Sequence, residues 1–296
     1  MRMQGIANLV TGAGGFIGQR LCRALLRQGE QVVAVVRNPK KFRLSHPKLK
    51  SITWDLGGPL PALKKLEVDY VFHLAAKISS DPEDDEIMWN SNVVGTLNLI
   101  DALKSKKIKR LIYSSTREVY GEQSLPLQEE QQPRPANSYG LTKWVGEKIC
   151  QTYGTKYWPV TILRYPGVYG REKKGGLVAK LFQAYHEERP VIPVHGDGTQ
   201  TTDIVWVEDV LRANLYAREK ETERFSLYNI AGGKELSIKE IIGTAEKAFK
   251  KTIAVQYTGA STRKRFVMHI EKAQKKLDYR PTALIDGLQH EMGFYG

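Results

Sequence analysis

Short apolar runs alternate with amphipathic stretches along the first half of the chain. Val32 to Val36 is a continuous β-branched run, which is typical of a strand buried on both faces of a parallel sheet. Leu21, Leu25 and Leu26 recur at helical spacing just before it. Strands are predicted at Ile6 to Val10, Val32 to Val36, Ile52 to Trp54, Tyr70 to Leu74, Leu111 to Ser114 and Val160 to Leu163, and helices at Glu86 to Leu103 and Ser138 to Tyr153. This alternation predicts an α/β fold with a doubly wound parallel sheet.

Three glycines, Gly12, Gly15 and Gly18, follow the first predicted strand and open the first predicted helix. Glycines at this spacing allow a tight turn, close approach of the backbone to a pyrophosphate, and close packing of helix on sheet. The helix N-terminus then faces the phosphates. A purely structural glycine turn is the alternative, but the strand-to-helix context favours the nucleotide site. The sequence therefore predicts a Rossmann-type dinucleotide-binding domain.

The residues after the second and third strands bear on which dinucleotide binds. Arg37 follows the second strand, where an NAD-selective site usually has an acid for the ribose hydroxyls. An arginine there can hold a 2′-phosphate or stack on the adenine, so NADP is predicted in preference to NAD. A solvated surface arginine is the alternative. Asp55, after the third strand, is placed to bind the adenine amino group, or is a loop acid or helix cap.

The pattern changes after Pro166. A helix is predicted after Gly175 and Gly176, to about Glu188, and a long loop from Pro190 to Gly198. Further on the chain predicts a strand at Asp203 to Val205, a helix at Val207 to Ala217, a strand at Phe225 to Ile230, a helix from Glu235 and a strand at Ile253 to Tyr257. We predict a dinucleotide-binding domain over residues 1–165, to which 198–231 return, and a smaller C-terminal substrate-binding lobe made of 166–197 and 232–296.

Tyr139 and Lys143 are the strongest candidates for chemistry. Four-residue spacing brings both side chains onto one face of a helix. The ammonium can then lower the pKa of the phenol and allow proton transfer near neutral pH. Tyr169/Lys173 and Tyr216/Lys220 have the same spacing, but only the first pair follows the glycine loop and a polar strand end at suitable distances. This order predicts a nicotinamide-dependent enzyme.

Composition limits the other classes of function. Lys and Arg number 45 against 32 Asp and Glu, a net charge of +13. The excess is dispersed, with no basic–aromatic RNA signature, so we expect a lysine-rich solvated surface, no nucleic acid and no membrane partner. A phosphorylated cofactor and an anionic small-molecule substrate fit part of the charge. Cys22 and Cys150 are the only cysteines, so no disulfide scaffold or metal site is expected, and a cytoplasmic location is predicted.

Several motifs together resemble the extended short-chain dehydrogenase/reductase family, in its sugar-nucleotide epimerase/dehydratase branch. The similar stretches are Thr11 to Gly18, Phe72 to Ala76, Asn92 to Thr96, Tyr113 to Gly121, Asn229 to Gly233 and Tyr279 to Pro281. They span nearly the whole chain in the family's order. The resemblance implies hydride and proton transfer at a carbonyl or hydroxyl carbon.

The resemblance also implies roles for particular residues. Thr116 would hydrogen-bond the reacting oxygen, Tyr139 would transfer the proton, and Lys143 would hold the nicotinamide ribose. Asn92 would support the active-site water and backbone. The residues implied to bind the cofactor are Gly12, Gly15, Phe16, Ile17, Gly18, Arg37, Asp55, Leu56, Leu74, Ala75, Ala76, Tyr139, Lys143 and Tyr165. A homodimer formed through the helices at Asp85 to Leu103 and Ser138 to Tyr153 is implied as well.

Three positions depart from the family pattern. Arg117 stands where dehydratases have an acid, and an arginine cannot protonate a leaving hydroxyl. Gly167 and Thr202 stand where an Asn and an Arg commonly contact the substrate diphosphate. Replacement anchors are available at Lys173, Lys174 or Arg263 to Arg265.

Four functions remain open from the sequence. An epimerase or reductase of the sugar-nucleotide type is favoured, and an NADPH-dependent reductase of a sterol-, flavonoid- or lipid-like ketone is the main alternative. A non-catalytic NADP sensor is disfavoured because the Tyr, Lys, Thr and Asn are all present. A nucleic-acid binder would rest on charge alone.

Overall fold

The structure is a computed structural model that describes residues 6–59, 66–187, 191–260 and 264–293. Its strands are β1 (Ala7–Thr11), β2 (Gln31–Val36), β3 (Leu49–Thr53), β4 (Tyr70–His73), β5 (Arg110–Thr116), β6 (Val160–Tyr165), β7 (Gly167–Tyr169), β8 (Ile192–His195), β9 (Thr201–Thr202), β10 (Ile204–Trp206), β11 (Phe225–Asn229), β12 (Leu236–Ser237) and β13 (Val255–Thr258). Its helices are α1 (Phe16–Arg27), α2 (Asp85–Trp89), α3 (Gly95–Leu103), α4 (Ser138–Ile149), α5 (Thr155–Tyr157), α6 (Leu177–His186), α7 (Val207–Glu219), α8 (Ile238–Phe249), α9 (Glu271–Leu277) and α10 (Leu284–Glu291).

A seven-stranded sheet in the order β11-β6-β5-β4-β1-β2-β3 forms the centre of the nucleotide-loop half of the chain. The pairs β1·β2, β2·β3, β1·β4 and β4·β5 are parallel. The first three strands build one side of the sheet and the later strands build the other, so the order reverses between β1 and β4. In open α/β sheets ligands bind at the carboxyl ends of the strands at this point. The predicted Rossmann-type α/β fold is confirmed.

The sheet is held by burial on both faces, as its sequence predicted. Every residue of β2 is buried, and β6 is buried throughout. A hydrophobic cluster that includes Leu9, Val71 and Leu111 on the strands and Leu99 on α3 covers one face. This packing fixes the strand ends that carry the candidate functional residues.

The helix predicted from Glu86 to Leu103 is interrupted. It consists of α2, a π-helical turn at Asn90–Val94 and α3. A similar turn at Cys150–Gly154 follows α4. Such turns cluster at functional sites, and the first of them carries Asn92.

The loop predicted from Pro190 to Gly198 is partly wrong, because Ile192–His195 forms β8, paired in parallel with β13. Ile192 and Val194 are buried while Pro193 and His195 are exposed. Pro193 obscured this alternation, since proline within a strand is restricted to edges and bulges. Pro190 lies outside the described residues.

The chain divides into two compact units. The first is Met1–Gln123, Glu130–Arg164 and Leu211–Tyr228, and the second is Ser124–Glu129, Tyr165–Val210 and Asn229–Gly296. Residues 198–210 thus group with the second unit and 211–228 with the first, whereas the sequence predicts that 198–231 return together to the first domain. The assigned roles of nucleotide domain and substrate lobe stay predictions.

The second unit is organised around a buried carboxylate. Asp203 is fully buried and accepts hydrogen bonds from the backbone N–H groups of Gly232, Gly233 and Met268 at 2.9 to 3.1 Å. These bonds tie the start of β10 to two loops from later in the chain. A buried carboxylate with this many donors is satisfied structurally and is not free for chemistry.

Candidate functional site

The glycine loop has a geometry that side chains would block. Gly12 has φ +66°, and a Cβ there would lie 2.7 Å from the backbone nitrogen of Ala75. A Cβ on Gly18 would lie 2.2 Å from the Gly12 oxygen. Gly15 donates its N–H to Gly12 O at 2.9 Å and precedes α1, which begins at Phe16. The loop therefore leaves bare backbone at a helix N-terminus, which fits a pyrophosphate.

The residues predicted to contact the adenosine half occupy the ends of β2 and β3. Arg37 and Asp55 are both exposed, one directly after β2 and the other two residues after β3. Leu56 is buried, and its carbonyl accepts a hydrogen bond from Asn98 Nδ2 at 2.7 Å. Both charged side chains thus follow strands on the same side of β1, which carries the glycine loop, and their contact with a nucleotide stays a prediction.

A buried hydrogen-bond chain runs behind the end of β4. Thr11 Oγ1 and His73 Nδ1 lie 2.7 Å apart, and Ala75 donates its N–H to Thr11 Oγ1 at 3.2 Å. On the other ring edge, His73 Nε2 lies 3.0 Å from Thr96 Oγ1, which donates to Asn92 O at 2.6 Å. Burial and the charge of Lys143 lower the pKa of His73 to about 3, so the ring is neutral. These hydrogen bonds hold Ala75 at the end of β1, and the backbone of Leu74 and Ala75 lies against Gly12.

Asn92 connects this chain to α4. Its side chain is buried, accepts from Lys77 N at 2.8 Å and donates to Lys77 O at 3.0 Å. Nδ2 also lies within 3.0 Å of Thr142 Oγ1, which donates to Tyr139 O at 2.9 Å. Asn92 therefore ties the Lys77 backbone to α4, and the support of an active-site water implied for it stays a prediction.

Thr116 and Tyr139 meet at the carboxyl end of β5. Thr116 is buried at the last position of that strand, and its side chain lies near enough to the Tyr139 phenol to lower the pKa of that group. Burial and the charge of Glu118 raise the pKa of Tyr139 above its ordinary value, and Thr116 opposes that rise. The structure thus brings together the hydroxyl and the phenol that the sequence selected.

Lys143 lies one turn further along α4 and is buried. Its Nζ stands 4.0 Å from the centre of the Tyr113 ring. Burial lowers the pKa of Lys143 to about 8, and the neighbouring Cys150 and the Glu147 carboxylate oppose that fall. Its charge is not among the causes of the Tyr139 shift, so the depression of the phenol pKa by Lys143 stays a prediction.

A buried ion pair behind Lys143 was not foreseen. Arg164 Nη2 and Nε lie 2.6 and 2.9 Å from the two carboxylate oxygens of Glu147, and Ser115 Oγ donates to Oε1 at 2.5 Å. Glu147 follows Lys143 by four residues, so helical spacing was the signal that placed it on the same face. Nothing local to β6 indicated that Arg164 would be its partner.

Other predicted positions lie in the second unit. Tyr165 is buried at the end of β6, and Gly167 begins β7. Thr202 donates to Asp203 O at 3.3 Å. Burial lowers the pKa of Lys173.

The basic residues that could replace the missing phosphate anchors have mixed environments. Lys174 is exposed. Arg265 Nε lies 2.6 Å from Glu235 Oε1. Arg263 lies outside the described residues.

The structure also bears on metal binding and on membrane insertion. Within the described residues, no group of three or more His, Cys, Asp or Glu side chains is placed to hold a metal ion. In that same part of the chain, no helix has the length and apolar character needed to cross a bilayer.

The fold and the site together define a nicotinamide-dependent enzyme of the short-chain dehydrogenase/reductase class. The model of the NAD dependent epimerase/dehydratase family matches residues 8–231. A UDP-glucuronate 4-epimerase of Thermodesulfobacterium geofontis is 30% identical, over 94% of this chain and 92% of its own. The chain belongs to the NAD dependent epimerase/dehydratase family.

Solved structures agree with this assignment. The UDP-glucuronic acid 4-epimerase of Bacillus cereus, in complex with UDP-glucuronic acid and NAD, has a TM-score of 0.84 at 31% identity, with 98% of each chain covered. MoeE5, in complex with UDP-glucuronic acid and NAD, has a TM-score of 0.82 at 28% identity, with 97% of this chain and 99% of that chain covered.

These findings confirm the predicted family and class of activity. The chain is an NAD(P)-dependent enzyme of the sugar-nucleotide epimerase/dehydratase type, and the comparisons support this function over a reductase of non-nucleotide ketones. The predicted preference for NADP is not supported, because the solved neighbours hold NAD.

Proposed function

We propose that this enzyme interconverts UDP-sugars that differ in configuration at C4 and retains NAD through the cycle. The observation that carries the proposal is the Thr116–Tyr139 pair at the end of β5, in the same unit as the Gly12 loop. Relatives that act as UDP-sugar 4-epimerases support the choice of substrate. The small-molecule substrate is anionic in this proposal, which suits the net charge of +13.

Each of the candidate residues has a separate role in the proposed reaction. When bound, NAD supplies a hydride acceptor that becomes the hydride donor for the reverse transfer. Tyr139 takes the proton of the reacting hydroxyl and later returns it, and Thr116 donates a hydrogen bond to the reacting oxygen. Lys143 holds the nicotinamide ribose, and the glycines at 12, 15 and 18 receive the pyrophosphate together with Phe16 and Ile17. Asn92 keeps the first turn of α4 in place through Thr142.

Epimerisation is favoured over dehydration by Arg117. Dehydration needs a group that gives a proton to the leaving hydroxyl, and a guanidinium cannot do so. Arg117 Nε instead lies 2.9 Å from Glu118 Oε1, so the neighbouring acid is already paired.

Product analysis tests the proposal. The purified enzyme is incubated separately with UDP-glucose, UDP-glucuronic acid and UDP-N-acetylglucosamine, and products are resolved by anion-exchange chromatography and proton NMR. We expect an equilibrium mixture of C4 epimers from at least one substrate, without net consumption of cofactor. A keto product that has lost water, or stoichiometric oxidation of NADPH, would reject epimerisation.

We propose NAD(H) as the cofactor, in place of the NADP(H) predicted from Arg37. NADH is expected to bind more tightly than NADPH in a fluorescence titration of nucleotide-stripped enzyme. Arg37→Ala should weaken NADPH by about tenfold, because a charge-assisted bond to the 2′-phosphate is lost, and NADH much less. Tighter binding of NADPH by the unaltered enzyme would restore the original prediction.

A homodimer is proposed on the basis of an exposed apolar surface on the predicted dimer helices. The exposed apolar residues of those two segments include Ile87, Trp89, Val94, Leu97 and Tyr153. Leu97→Glu is expected to shift the sedimentation coefficient from dimer to monomer, because a charge in an apolar contact is costly. A wild-type protein that sediments as a monomer at micromolar concentration would end the proposal. The cytoplasmic location and the absence of a nucleic-acid partner stay predictions.

A further inference from the structure

Glu118 lies in the 3₁₀ turn after β5, and both of its carboxylate oxygens are engaged. Arg117 Nε lies 2.9 Å from Oε1, and Asn137 Nδ2 donates to Oε2 at 3.0 Å. Asn137 also caps α4, since its Oδ1 accepts from Gly140 N at 2.7 Å. Glu118 therefore joins the end of β5, which carries Thr116, to the first turn of α4, which carries Tyr139.

The close packing of this turn on α4 keeps the carboxylate near the phenol. A Cβ on Gly140 would lie 2.4 Å from the Glu118 backbone oxygen, so the helix can approach only because a glycine follows Tyr139. The Glu118 backbone N–H also donates to Thr116 Oγ1 at 3.3 Å. The spacing between the acid and the phenol is thus fixed by backbone contacts.

The charge on Glu118 opposes the ionisation of Tyr139. An anion beside a phenol disfavours phenolate, which the oxidative half of the reaction needs. The two donors on the carboxylate reduce that effect, and only Arg117 brings a positive charge. Burial and Glu118 raise the pKa of Tyr139 and Thr116 lowers it, and Arg117 contacts the Glu118 carboxylate at 2.9 Å, so its charge is placed to act through Glu118.

We propose that Arg117 and Glu118 form a charge pair that sets how readily Tyr139 gives up its proton, with Glu118 as a positioning residue and Arg117 as its counter-ion. The inference rests on the proposed function of Tyr139. Both side chains of the pair are 33% exposed, so water weakens the interaction and the effect is one of tuning.

Other ionisable groups surround this turn and do not change in the test. On the elements packed against the turn and α4 they include Asp85 of α2, Tyr113 of β5, Arg134 before α4, Lys143 and Glu147 of α4, and Cys150 after it. Asp85 Oδ2 accepts from Ser138 Oγ at 2.9 Å.

The test is the pH dependence of kcat/KM for the NAD-loaded enzyme with its best UDP-sugar. The acidic limb is expected to move to lower pH by about half a unit in Glu118→Gln and to higher pH by a similar amount in Arg117→Gln. Asn137→Ser keeps a capping oxygen but removes the donor to Glu118, so its limb should also move to higher pH. The pH profile of the double variant Arg117→Gln/Glu118→Gln should match that of Glu118→Gln. Once the Glu118 carboxylate is gone, Arg117 has no partner through which to act on Tyr139, so its removal changes nothing further.

Controls separate this role from structural damage. Glu122→Gln removes an exposed carboxylate three residues after the turn and should leave the limb in place. Arg117→Lys keeps the charge and should restore most of the wild-type profile. If Glu118→Gln does not fold, the proposal is tested by Arg117→Gln and Asn137→Ser alone. In both variants the acidic limb of kcat/KM should move to higher pH.

Two results would overturn the charge pair. One is an unmoved limb in Arg117→Gln and Glu118→Gln despite lower kcat, which is the behaviour of a structural contact. The other is a raised KM in Arg117→Gln that persists in the double variant with the limb unmoved, which assigns Arg117 to the substrate. Failure of the underlying function is distinguishable, because Tyr139→Phe would then retain turnover.

Discussion

Replacement of Tyr139 with Phe is expected to lower turnover by about 10³-fold or more, because the group that accepts and returns the proton is lost. The change removes one oxygen and leaves the half-buried ring in the first turn of α4. Thr116 remains but has no means of carrying the proton away. NAD affinity, measured by fluorescence titration, should stay near the wild-type value.

Tyr216→Phe is the matched control for this prediction. Tyr216 of α7 precedes Lys220 by the same four residues, and the Nζ of Lys220, which directly follows α7, lies 4.3 Å from the centre of the Tyr216 ring. The same chemical change is therefore made in the same local pattern, away from Thr116. Its turnover should equal that of the wild type. Turnover retained in Tyr139→Phe would reject the proton-transfer role.

The sequence predicted those parts of the site whose structure depends on residues close together along the chain. Gly12 had to be glycine because a Cβ would overlap the backbone of Ala75, and this constraint is visible as a spacing motif. Tyr139 and Lys143 share a helix face, so their relation needs no knowledge of the rest of the fold. The β-branched run of β2 likewise reports burial on both faces through its composition.

The parts that were missed depend on contacts between distant segments. Arg164 meets Glu147 across 17 positions, and His73 meets Thr11 across 62. No local pattern specifies such partners. Arg37 shows a further limit, because an arginine after β2 suits a 2′-phosphate, an adenine face or water equally well.

Replacement of Arg164 with Met is expected to cost about 3–5 kcal/mol of unfolding free energy, because it leaves the Glu147 carboxylate buried without its cation. The Arg164 and Glu147 side chains are only 3% and 4% exposed, so water cannot take over. Urea denaturation followed by tryptophan fluorescence measures the change. A stability equal to that of the wild type would show that the carboxylate becomes protonated or reaches solvent.

The double variant Glu147→Leu/Arg164→Met should recover most of that loss, since a buried ion pair can be replaced by apolar groups at little net cost. One guanidinium nitrogen of Arg164 lacks a hydrogen-bond partner within the described residues, which makes a large stabilising role for the pair still less expected. Glu147 does raise the pKa of Lys143, against burial that lowers it to about 8.

Without that carboxylate the pKa of Lys143 falls further, and more of the lysine is neutral at pH 7. The double variant should therefore regain stability but require lower pH to keep Lys143 charged, with weaker NAD binding at pH 8 than at pH 6. Recovery of both stability and wild-type NAD affinity across that range would show that the pair does not act on Lys143.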